Sequence, residues 1–105
     1  MIKIAIKEND GQFNEITING HAKYDESGRD IVCAAVSSIV ITSINGIMRL
    51  NYDAIDYMEA DDEMKIIMKK ADDIINTLLF NMVELLEELK TQYPNNIEIR
   101  RCKND

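Results

Sequence analysis

From Ile31 to Leu50 the chain runs IVCAAVSSIVITSINGIMRL, an apolar stretch of about twenty residues that restricts the possible folds more than any other segment. Its Ile, Val and Thr content favours strands. Length overrides that preference, because an ordinary strand has roughly five or six residues. The stretch is therefore predicted to be a buried helix, with Asp30 as its N-cap. Small residues at Ala34, Ala35, Ser37 and Ser38 would let its first turns lie close to a sheet or another backbone.

Residues Ile2 to Lys7 supply sheet to bury it against, alternating Ile2, Ile4 and Ile6 with Lys3 and Lys7. Asp10-Gly11 has the composition of a tight hairpin turn, and Phe13 to Asn19 follows as a second strand with Ile16 and Ile18 on one face. A second hairpin is predicted from Ala54–Glu59 and Glu63–Lys69 around Ala60-Asp61-Asp62. The clearest helix is Ala71 to Tyr93, with Asp72 and Asp73 in its first turn and Ile75, Leu78, Leu79, Met82, Leu86 and Leu89 as an apolar stripe. Phe80 and Leu85 widen that stripe and point to burial on a second side. Pro94 ends the helix, and Ile97 to Arg101 forms a last strand. The order ββαββαβ predicts one α+β domain over residues 1–105, a mixed or mainly antiparallel sheet with two helices in an α/β sandwich.

Charge narrows the partners. Residues Asn51 to Glu63 hold six of the chain's 19 acids and none of its 12 Lys and Arg, so this stretch alone carries −6 of the formal −7. Such a surface repels phosphate backbones, which argues against direct nucleic-acid binding, and attracts a basic partner. Acidic loops also simply keep proteins soluble. No stretch approaches the roughly 18 or more uninterrupted apolar residues of a membrane span, and MIKIAIKEND lacks the long apolar run of a signal peptide, so no membrane association and a cytoplasmic location are expected. Cys33 and Cys102 are then expected to stay reduced thiols.

Nearly all the chemistry sits in GHAKYDESGRDIVCAAVSS, Gly20 to Ser38. It contains the single histidine, His21, at the end of the second strand, and Cys33 near the start of the first long helix. Gly20 permits an unusual backbone before His21. With Asp30 as cap, Cys33 takes the third helical position, where unpaired amides favour thiolate over thiol. His21 could take the thiol proton, and the amides of Cys33 and Ala34 could stabilise an oxyanion. Asp30 has two open roles, capping the helix or orienting the imidazole. Ser37, one turn after Cys33, could hydrogen-bond the sulfur or its own preceding turn. The loop 22–29, with Gly28, is either a cover for a bound peptide or a solvated connector. Each residue has an ordinary alternative: a buried structural thiol for Cys33 and a polar strand end for His21. A metal site is disfavoured, because His21, Cys33 and Cys102 lack ligand-pair spacing, and no cofactor is expected.

The run Gly20, His21, Ala22, then Gly28, Asp30, Ile31, Val32, Cys33, Ala34, Ala35, Val36 and Ser37, resembles the bacterial ribosomal-processing cysteine protease family. The later helix and YPNNIEI at Tyr93 to Ile99 are also similar to it. The resemblance implies a homodimeric cysteine endopeptidase with Cys33 as nucleophile and His21 as general base. Its implied substrate is the N-terminal extension of a basic large-subunit ribosomal protein, number twenty-seven in the bacterial nomenclature, removed during ribosome maturation. Two other classes remain from the residues alone: a non-catalytic acidic module that assists ribosome assembly, and a thiol redox sensor using Cys33.

Overall fold

The computed structural model describes residues 1–20, 29–70 and 72–103, with Arg29 and Asp30 described in backbone only. In chain order the elements are β1 (Ile2–Asn9), β2 (Gln12–Asn19), α1 (Arg29–Leu50), β3 (Ile55–Glu59), β4 (Glu63–Met68), α2 (Asp73–Gln92) and β5 (Ile97–Lys103). The ββαββαβ order and the α+β class are as expected. The strands form one sheet in the order β3-β4-β2-β1-β5. Every neighbouring pair is antiparallel except β1 and β5, which are parallel because α2 carries the chain back across the sheet.

Asp10 and Gly11 close the first hairpin as a two-residue loop with φ of 49° and 81°. Positive φ at both positions gives the primed turn whose twist matches that of the flanking strands. Near this turn the register shifts, Lys7 facing Glu15 but Glu8 facing Phe13, so Asn14 is the extra residue of a bulge.

One face of the sheet is apolar in rows that run across the strands. Ile4 faces Ile18, which faces Met64; Ile6 faces Ile16, which faces Ile66. Ile2 and Ile97 extend the apolar surface onto β5. All of these are buried. The helices close this face, α1 with Val32, Val36, Val40, Ile44 and Ile47, and α2 with Ile75, Leu79, Met82, Val83 and Leu86. Lys3, Lys7, Glu15, Lys65 and Arg100 occupy the alternate positions that face away, giving a two-layer sandwich.

Four expectations change in detail. Asp72 is the N-cap of α2, its carboxylate accepting from the Ile74 amide at 2.8 Å and the Ile75 amide at 3.2 Å, so only Asp73 lies in the first turn. Phe80 and Leu85 are 48% and 39% exposed, so within the described chain α2 buries one stripe and not a second. β5 runs on through Cys102 and Lys103, two residues beyond the expected end at Arg101. Finally, Ile31–Leu50 has a mean hydropathy of 2.0, so by length and composition this helix is apolar enough to cross a membrane, contrary to the expectation that no stretch qualifies. Its interruptions by Ser, Thr, Asn and Arg are too few to bring the mean down to that of a polar helix. In this fold it places a third of its residues in the core, next to α2.

Two long-range polar clamps fix the helix layer to the sheet. Asn76 of α2 accepts the Phe13 amide at 3.0 Å and donates to the Gly11 carbonyl at 2.9 Å, holding the first hairpin by its turn. Arg101 of β5 lies over the Phe13 ring, donates to both carboxylate oxygens of Glu8 at 2.8 and 3.1 Å, and reaches Glu87 of α2 at 3.2 Å. That geometry joins β5, β1 and α2 through one guanidinium.

Candidate active site

The strand that leads to His21 ends in a tightly specified glycine. Gly20 has φ of +86°, and its amide donates to the Asp62 carbonyl in the β3–β4 turn at 2.8 Å. A Cβ at this position would lie 2.8 Å from the Met1 carbonyl oxygen. Positive φ and the close backbone approach each demand glycine, so the expected role of Gly20 is met. β1, β2 and the β3–β4 turn together therefore fix where the chain leaves the sheet.

His21 and Gly28, and with them the loop 22–28, lie outside the described residues, as does the Asp30 side chain. Helix α1 begins at Arg29, so Asp30 stands inside its first turn and not before it. Cys33 is consequently the fifth helical residue, not the third. By the i→i−4 spacing, the amides of Cys33 and Ala34 stand opposite the Arg29 and Asp30 carbonyls, which removes them from the unpaired first-turn donors.

Cys33 is half-buried against the core, between the buried Val32 and Val36, which anchor the start of α1. Ser37 is also half-buried and follows one turn later on the same side of the helix. Neither Cys33 nor Cys102 is in a disulfide. Cys102 is exposed on β5, its sulfur 3.7 Å from the Ile6 carbonyl oxygen and facing away from the helix layer.

The sequence reading missed Tyr57. This β3 residue packs on the core opposite Ile66, and its hydroxyl is buried with no hydrogen-bond partner among the described residues. Burial raises its pKa, with Glu59 adding to the rise. Only its place in an acidic hairpin was visible beforehand.

A chain with this arrangement has close relatives. Residues 1–98 match the family model described as cysteine protease Prp. The ribosomal processing cysteine protease Prp of Staphylococcus aureus is 30% identical over 103 residues, covering 94% of this chain and 97% of that protein. The protein of the same description from Mycoplasma genitalium is 34% identical over 101 residues, covering 94% of each. A crystal structure of the S. aureus ribosomal processing protease with a substrate peptide superposes with a TM-score of 0.90 at 27% identity, covering 97% of this chain and all of that one. With near-complete coverage in sequence and structure alike, the chain belongs to the cysteine protease Prp family.

Proposed function

We propose that this protein is a cysteine endopeptidase that removes the N-terminal extension of a basic large-subunit ribosomal protein, with Cys33 as nucleophile and His21 as general base. The observation that carries the proposal is similarity along 94% of the chain to ribosomal processing cysteine proteases, one of them known with a peptide substrate bound. Gly20 supports the role of His21, because a strand end fixed by Met1 and Asp62 delivers the next residue from a defined position. Cys33 starts from a helix anchored by Val32 and Val36.

In this mechanism His21 takes the thiol proton and the sulfur attacks the scissile carbonyl carbon. The tetrahedral intermediate collapses to a thioester as protonated His21 donates to the leaving amine. Water, activated by the same imidazole, then releases the new carboxylate. Backbone amides in the turn before Cys33 are the donors proposed for the oxyanion. Asp30 either supports the helix start through its charge or orients the imidazole. Asp30→Asn separates these roles, since only the second predicts a large fall in turnover with stability nearly unchanged. Ser37 supports the sulfur from the following turn. The protein acts in the cytoplasm as a homodimer.

The test is incubation of the purified protein with the extended ribosomal protein in reducing buffer. Truncation by the wild type, lost in Cys33→Ala and in His21→Ala, is expected. An intact substrate with the wild type, or undiminished truncation by Cys33→Ala, would overturn the proposal.

A further inference from the structure

A groove of about 420 Å³ runs along the outer flank of α2 beside β5, and it includes none of Gly20, Cys33 or Ser37. Phe80 and Val83 supply its apolar lining, and Glu84, Glu87, Glu88 and Arg101 its charged lining. Among the described residues its one cation is already committed, because Arg101 is held by Glu8 and Glu87. Glu84 and Glu88 stand one helical turn apart with no ion pair among the described residues. Like charges at this spacing oppose each other on an isolated helix. Phe80, one turn before Glu84, presents its ring at 48% exposure.

An exposed aromatic followed by two unneutralised carboxylates at successive turns matches a lysine or arginine side chain, whose apolar stem covers the ring while its charge meets the acids. An anionic segment would meet net negative charge here, and a purely apolar one would bury the carboxylates unpaired. We infer that this groove docks a lysine- or arginine-bearing segment of the protein substrate, away from the bond that is cut. The inference rests on the proposed proteolysis of a basic ribosomal protein and adds a second contact to it. Two contacts on one chain raise the effective concentration of the scissile segment at Cys33.

The probe is a synthetic peptide rich in Lys and Arg that contains no cleavable bond, titrated into the full-length protein at low salt with backbone amide shifts followed by NMR. Shift changes centred on Phe80, Glu84, Glu88 and Thr91 are expected. The dissociation constant should rise about tenfold in Glu84→Gln/Glu88→Gln, whose fold is checked by its melt, and should rise with added salt in the wild type. Shift changes centred on residues 53–63, no binding by the wild type, or equal affinity in the double variant would overturn the inference. Failure of the protease proposal reads out separately, as an untruncated ribosomal substrate, because the docking probe is never cut.

Discussion

Gly20 and Met1 approach so closely that a single added methyl group would reach within 2.8 Å of the Met1 carbonyl oxygen. Gly20→Ala must also hold φ of +86°, which an L side chain resists. The substitution is expected to cost about 1–3 kcal/mol in urea unfolding. Peptide cleavage should fall further than stability does, because the strain lies immediately before His21. Wild-type stability together with wild-type turnover would disprove the role assigned to this glycine.

Asn76→Ala removes the acceptor for the Phe13 amide and the donor to Gly11 in one step. Leaving the Phe13 amide unpaired at a partly buried site is expected to cost about 1–3 kcal/mol. The urea midpoint should drop with little change in slope, and hydrogen exchange should accelerate first in the β1–β2 hairpin. An unchanged midpoint would mean that water replaces both bonds.

The hydrogen bond from Arg101 holds the Glu8 carboxyl below its ordinary value of 4.5; burial opposes the shift and the Arg101 charge adds to it. A depressed carboxylate stabilises the fold above its unfolded pKa, and that contribution disappears as pH falls through the folded pKa. Glu8→Gln should therefore lower the melting temperature at pH 7 and have progressively less effect as the pH is taken below 4.5. An equal effect at both ends of that range would show that Glu8 acts through packing and not through its charge. Arg101 is shifted upward mainly by the same hydrogen bond and stays protonated throughout.

Tyr57→Phe removes a buried hydroxyl that has no partner among the described residues. Losing a polar atom that burial has already separated from water should be neutral or stabilise by up to about 1 kcal/mol. The tyrosine titration followed by ultraviolet absorbance should lose a component displaced to high pH, since burial and then Glu59 push this phenol upward. A clear loss of stability would reveal a partner that only forms in solution.

Features written in local composition were readable from the sequence, and those made by distant chain segments were not. Asp10-Gly11 announced a primed turn, alternation at Ile2, Ile4 and Ile6 announced β1, and Pro94 marked the end of α2 within two residues. The length of the apolar run from Ile31, with Asp30 before it, placed Cys33 near the start of α1. Its exact helical position was misjudged, because aspartate suits both a cap and a first turn, and Asp30 takes the second. The buried stripe of α1, Val32 to Ile47, was concealed by apolar neighbours such as Ile31 and Ile41 that stay exposed. Asn76 and Arg101 looked like ordinary surface residues, since their partners lie 63 to 93 positions away.

Because β1 runs parallel to β5, the two ends of the described chain depart from opposite poles of the sheet. Met1 touches the Gly20 pole, whereas Lys103 closes β5 beside Glu8 at the hairpin pole. A purification handle or fluorescent label fused ahead of Met1 would thus emerge against the glycine that feeds the imidazole. The same handle fused beyond Lys103 would trail away from it, making the carboxyl side the fitting one for any assay of peptide access.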